Sequence, residues 1–245
     1  MNFRYRSWIT AVAAVLCAAL TASLGVWQMS RAAEKRSLEN RIVQRGGLNP
    51  LSAKELLESD HLEDSLHRSV RLRGHWQTQA SVFLDNRPMG GRSGLILVTP
   101  LRLVDSERTL LVQRGWVQRN FMDRSLVPVV PTPQGEVEIT GRLAPPPSQL
   151  LELGEAQVGA IRQNLYLDAY ANETGLNLIP ASVLQSGPSP EGLQRDWPRF
   201  EAAVHKHHGY AAQWFAMSAV VTGLYVWFQW ILPRRRKPSH GTDTR

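Results

Sequence analysis

Three histidines fall within four positions, His205, His207 and His208, at the head of an apolar stretch that runs to Leu232. An imidazole can ligate a metal ion or a haem iron, or carry a proton. For a multi-histidine metal centre the spacing is poor. Two imidazoles converge on a helix at i, i+4, as in H-E-x-x-H zinc sites, and only His205 and His208 come near that separation. His207, Tyr210 and Trp214 stand at i, i+3 and i+7 and so share one helical face. Two readings of that face are open. In one, an imidazole on it ligates a metal ion or a haem iron. In the other, Tyr210, Trp214 and Phe215 form an interfacial aromatic belt and the histidines mark the edge of water.

The element that carries this face is a membrane span. From Tyr210 to Leu232 no residue is charged. About 23 residues rising ~1.5 Å each give roughly 34 Å, enough to cross a hydrocarbon core of about 30 Å. Tyr225, Trp227, Phe228 and Trp230 supply the belt at the opposite surface. A second uncharged stretch, Trp8 to Met29, lies at the other end of the chain. Its length exceeds the roughly 7 to 15 residues of a signal-peptide core, so an uncleaved anchor is expected. Leu16 before Cys17 is not the small residue that a lipoprotein cleavage site needs. The anchor ends in Leu24-Gly25-Val26-Trp27-Gln28-Met29-Ser30-Arg31. Gly25 permits close approach of another helix, and Trp27 and Arg31 share a face at i, i+4. Arg31 either pairs with an anionic group at the surface or snorkels to the interface.

Charge follows the same plan. The net charge of +7 is concentrated in two short tails, with Arg4 and Arg6 before the first span and Arg234, Arg235, Arg236, Lys237 and Arg245 after the second. With Asp243 set against the five cations of the second tail, the tails hold +6 and only +1 remains for everything between, which removes the main argument for a nucleic-acid partner. The cation cluster after the second span places both termini in the cytoplasm, because the long intervening segment translocates with little regard to its own charge. The expected plan is a cytoplasmic tail (1–7), a span (8–29), an extracytoplasmic domain (30–206), a second span (207–232) and a basic cytoplasmic tail (233–245). The lone cysteine, Cys17, excludes an intramolecular disulfide.

Beyond the first span, alternating charges with Leu38, Ile42 and Val43 at helical spacing predict that the helix continues until Gly46-Gly47 breaks it. Ser69–Leu72, Ser81–Asp85, Leu95–Arg102, Thr109–Gln113 and Glu136–Arg142 read as short strands separated by turn residues. They predict an antiparallel sheet or partly open barrel. Pro145-Pro146-Pro147 interrupts regular structure, and Leu165–Thr174 reads as a helix capped by Gly175. The fold class is therefore a membrane-anchored α+β protein: two transmembrane helices flanking a β-rich domain with a few helices. Met89-Gly90-Gly91-Arg92-Ser93-Gly94 matches neither a P-loop nor G-x-S-x-G and reads as a turn. The intervening domain has no cysteine, and its histidines are His61, His67, His75 and His205, so no nucleophile and base pair is recognisable and no catalyst is expected.

Read together, these residues resemble the surfeit locus protein 1 family of cytochrome c oxidase biogenesis proteins over nearly the whole chain. The resemblance rests on Leu24-Gly25-x-Trp27-Gln28-x-x-Arg31-x-x-x-Lys35, Val98-Thr99-Pro100-Leu101, Arg114-Gly115-Trp116-Val117, Trp197-Pro198 and His207-x-x-Tyr210-x-x-x-Trp214-Phe215, in that order. The chain departs from the usual pattern at Gln113, Gln118 and Leu95. The resemblance implies an assembly factor in a bacterial inner membrane that assists insertion of haem a into subunit I. Haem a synthase, subunit I and the lipid membrane are the implied partners. It also implies transient haem a binding, with His207 as axial ligand, Arg31 facing a propionate, and Tyr210, Trp27 and Trp214 walling the pocket. Arg114, Gly115 and Trp116 are expected to form a surface for a protein partner. The alternative is a protein-only scaffold that stabilises an oxidase intermediate without touching haem.

Overall fold

A computed structural model describes residues 3–59, 61–120, 122–123, 126–151, 159–197 and 201–235, with side chains from 8 onward except at 201–206, 233 and 235. His205, Pro198 and most of both basic tails therefore lie outside the described side chains. The chain divides into two compact units: residues 1–39 with 199–245, and residues 40–198.

The first unit is built from two long helices. Helix α1 spans Phe3–Gly46, and its end at Gly46 is where the sequence places the break. Helix α5 spans Glu201–Val226 and continues through a π turn, Trp227–Ile231, into the short α6, Leu232–Arg235. The π turn precedes Pro233, which has no amide hydrogen to give to the carbonyl four residues back; Leu232 donates instead to the Trp227 carbonyl. Both helices contain a stretch long and apolar enough to cross a membrane, Trp8–Gly46 and His207–Ile231.

The second unit is a barrel. Its strands are β1 (Ser69–Trp76), β2 (Val82–Leu84), β3 (Gly94–Leu103), β4 (Arg108–Gln118), β5 (Glu136–Ala144), β6 (Ile161–Arg162) and β7 (Asn177–Gln185). Short helices α2 (Ala53–Leu57), α3 (Leu62–Ser65) and α4 (Leu167–Thr174) complete it. The five strands expected from the sequence are β1 to β5, and Gly175 caps α4 in the left-handed conformation, as expected.

The sheet is mixed rather than antiparallel. Strand pairing runs β1-β5-β7-β4-β3, and β3 pairs back to β1, closing a five-stranded ring. A closed ring with an odd number of strands cannot alternate direction all the way round. One neighbouring pair must run parallel, and here it is β4 with β7. β2 adds to the edge of β3 beside β1, and β6 pairs parallel with β2.

Alternation sets the faces. Along β1, Val70 and Leu72 point inward, while Arg71 and Arg73 point outward and reach Glu138 and Glu136 of β5 at 3.9 and 3.2 Å. The interior packs Leu72, Leu101, Leu110, Val112, Leu143, Ala181 and Val183. β3 and β4 are buried on both faces, which is why Leu95 to Val98 and Leu110 to Val112 are consecutive apolar residues rather than alternating ones. Their outer residues Val98 and Leu111 pack under Leu165 and Tyr170 of the α4 region.

Candidate functional site

The site begins with the seam between α1 and α5. On α1 the less exposed positions include Ala11, Ala14, Ala18, Thr21, Gly25, Gln28, Ala32 and Lys35, in alternating steps of three and four. On α5 they include His207, Ala211, Trp214, Ser218, Val221 and Tyr225, in steps of four and three. Both are heptad patterns, the signature of two helices meeting along a narrow line. The pairing is antiparallel: Thr10 accepts from Gln229, the Ala18 carbonyl accepts from Ser218 at 3.0 Å, and Gln28 meets His207. Small side chains dominate the α1 side and let the helices approach. A Cβ on Gly25 would stand 2.7 Å from the ring of Phe215, so the close approach expected there is built in.

His207 sits on this seam with both ring nitrogens engaged. Its Nδ1 lies 2.6 Å from Gln28 Oε1, and its Nε2 lies 2.9 Å from Lys35 Nζ. An ammonium group can only donate, so Nε2 is the acceptor, and Nδ1–H then donates to the Gln28 oxygen. The sequence therefore fixes the tautomer through two residues of α1, and the nitrogen left with a lone pair is the one facing Lys35. His208 Nε2 accepts from Arg36 Nη2 at 3.3 Å on the exposed side.

The other predicted residues divide. Trp214 shares the seam with His207. Tyr210 stands off it, 53% exposed, as does Trp27, 50% exposed. Trp27 and Arg31 do share a face, with the guanidinium carbon 5.8 Å from the ring centroid. Arg31 is also held by Glu34 at 2.8 Å. Gln28 and Lys35 received no role from the sequence. The signal that would have found them is the heptad: both fall on the line of small residues Ala14, Ala18, Thr21, Gly25 and Ala32.

The donor set suits one kind of metal-bearing group. Among the described residues no cluster of three or more His, Cys, Asp or Glu side chains forms, so a multidentate ion site is absent there. What remains is one imidazole with a defined lone pair and Lys35 beside it, a second cation, Arg36, at the neighbouring His208, and exposed Val26, Trp27, Met29 and Tyr210 on the same helices. A haem asks for such a set: one axial base, cations for its carboxylates and apolar surface for its faces.

Arg114, Gly115 and Trp116 do not form a surface. Arg114 and Trp116 are each 1% exposed. The β3–β4 register passes from Leu97↔Gly115 to Val98↔Gln113, leaving Arg114 as the extra residue of a bulge that re-aims its side chain. Arg114 donates to Thr132 at 2.6 Å and to Glu191 at 3.3 Å, and lies 5.1 Å over Trp76. Burial pulls its proton affinity down, and the Glu191 charge opposes that. Its carbonyl, unpaired at the bulge, accepts from Arg195 Nε at 2.7 Å, and Arg195 in turn meets the same Glu191. Gly115 has φ 154, and a Cβ there would meet Leu193 at 2.7 Å. Trp116 donates to the Arg87 carbonyl and exchanges backbone bonds with Gln194. The triplet thus fastens residues 187–197 onto the barrel. The guanidinium and indole expected at a partner surface are instead spent on contacts inside the barrel unit.

One open cleft of about 600 Å³ lies on the barrel, lined by Trp76, Gln79, Arg162, Tyr170 and Glu173. Its buried cation is already satisfied, because Arg162 grips Glu173 in a bidentate pair at 2.8 and 2.9 Å.

Two membrane-length apolar helices that pair along a polar-ended seam, with a small closed barrel between them in sequence, define the class. The family model described as "SURF1 family" matches residues 15–219, and the chain belongs to that family. It is 27% identical to a SURF1-like protein of Rickettsia felis, over 83% of this chain and 89% of that one. It is 26% identical to surfeit locus protein 1 of Rattus norvegicus, over 88% of this chain and 73% of the rat protein. The cytochrome oxidase assembly protein SHY1 of Saccharomyces cerevisiae is 30% identical over 38% of this chain, a match that spans only 24% of the yeast protein.

Proposed function

We propose that this protein is an assembly factor for cytochrome oxidase, anchored in a bacterial inner membrane by α1 and α5 with both termini cytoplasmic and the barrel outside. In this reading it holds haem a transiently at the α1–α5 seam and assists its delivery to subunit I, next to haem a synthase. His207 is the axial ligand, with Trp214 beside it on the seam and Trp27, Tyr210 and Arg31 on the flanks. The observation that carries the reading is the defined lone pair of His207 Nε2, oriented by Gln28 at 2.6 Å. The naming of the yeast relative as an oxidase assembly protein supports the process. Bound haem supplies the iron; the chain's own residues hold the ring tautomer, provide apolar walls and neutralise carboxylates.

The test is the Soret spectrum of the full chain purified from cells that make haem a. Haem at near stoichiometry in the parent protein and a loss of at least about tenfold in His207→Ala are expected; full retention of haem by that variant would remove the ligand assignment. A second reading, a scaffold that touches only protein, draws on the fact that Lys35 already satisfies Nε2 without any ligand. It predicts a colourless protein and a His207→Ala variant that still supports oxidase assembly.

A further inference from the structure

Lys35 and Arg36 are two neighbouring cations for which no carboxylate partner exists among the described residues. Each donates to a histidine nitrogen instead, Lys35 to His207 at 2.9 Å and Arg36 to His208 at 3.3 Å. The carboxylates nearby do not serve them: Glu34 is committed to Arg31 at 2.8 Å, and no ion pair joins Glu39 to either cation. Lys35 is part-buried on the seam, where an ammonium facing only a neutral imidazole is poorly compensated. An anionic oxygen is the stronger acceptor for both groups, since charge-assisted bonds are roughly twice as strong as neutral ones.

We propose that Lys35 and Arg36 are the carboxylate-binding cations of the haem site, and that Lys35 leaves His207 Nε2 when a carboxylate arrives, exposing the nitrogen to the iron. The assignment rests on the haem reading given above and moves the anionic anchor away from Arg31, which Glu34 already holds. Recognition is thereby two-pointed. A carboxylate alone draws Lys35 away but leaves the imidazole unused, and an iron porphyrin without free carboxylates meets a nitrogen still covered by the ammonium. Only a ligand with both completes the exchange.

The experiment compares haemin with its dimethyl ester, in which both propionates are blocked, by Soret titration of the full chain in phosphatidylcholine nanodiscs. The parent protein should bind the free acid at least roughly tenfold more tightly than the ester. The double variant Lys35→Met/Arg36→Gln should lose that preference, with the acid weakened to the level of the ester. Lys35→Arg, which keeps a cation and serves as the folding control, should retain it. In Lys35→Met the ester should bind no more weakly than in the parent, because Nε2 is uncovered. Equal affinity for acid and ester in the parent overturns the proposal, as does a preference that survives the double variant. If phosphatidylglycerol nanodiscs abolish the preference, the cations belong to lipid phosphate and the carboxylate assignment falls. Failure of the underlying reading looks different: His207→Ala would then leave the Soret band unmoved whatever the ratio of acid to ester.

Discussion

At the scale of single residues, the side chains that matter most are the ones whose polar atoms are spoken for inside the fold. Trp116 anchors the strap at 187–197 through its indole bond to Arg87 and its backbone bonds to Gln194. Trp116→Ala should therefore cost about 3–5 kcal/mol, read as a large fall in the thermal midpoint of the barrel. His67 gives a second expectation. Its backbone is left-handed, φ 71, and its Nδ1 is buried without a hydrogen-bond partner. Desolvation, and then the charges of Arg142, Arg45 and Arg41, hold its pKa below the usual histidine value. The unfolded chain thus takes up the proton first. Stability contributed by the neutral ring is complete above about pH 6.5 and is lost as pH falls below it. A melting midpoint that declines from pH 7.5 to 5.5 is expected, and His67→Asn, which tolerates the same backbone, should flatten that decline. A midpoint that rises on acidification would contradict it.

At the scale of elements, the helix pair depends on close contact at Gly25. With Cys17→Ser as background, cysteines at Ala18 and Ser218, whose backbone and hydroxyl meet at 3.0 Å, should cross-link readily. Gly25→Leu should suppress that cross-link at least several-fold by driving into Phe215. A cross-link that persists would show that the helices tolerate the bulk. The sequence made both helices legible, since uncharged runs of that length have few other uses in a chain of this size. It made β1 to β5 legible as short runs rich in Val, Ile, Leu and Thr between turn residues. It hid β7, because Pro180 sits within it; the strand accommodates the proline on an exposed position where the β4–β7 register slips between Thr109 and Leu111. The helical face of His207 left two readings open and the family pattern singled it out, whereas its contact with Lys35 needed the partner helix, since nothing local to residue 35 says which histidine it meets. The role of Arg114 was obscured for the same reason: its acidic partner, Glu191, lies far along the chain.

At the scale of the whole molecule, the proposed orientation has a direct check. A reporter active only outside the cytoplasm should be silent when fused after Arg245 and active when inserted in the exposed turn at Gly90–Gly91; the reverse pattern would invert the topology. The closed ring carries a further consequence, for synthesis. Strands β4 and β5 are made early and do not pair with each other; the place between them belongs to β7, which follows the entire segment 145–176. Until Gln185 has been translated, the nascent barrel therefore displays two unsatisfied strand edges, each a template for unwanted pairing with another chain. Long-range closure of this kind is slow. A chain terminated before residue 177 is for that reason more than a barrel one strand short: it is permanently open at two edges, and insoluble deposition rather than reduced activity is its expected fate.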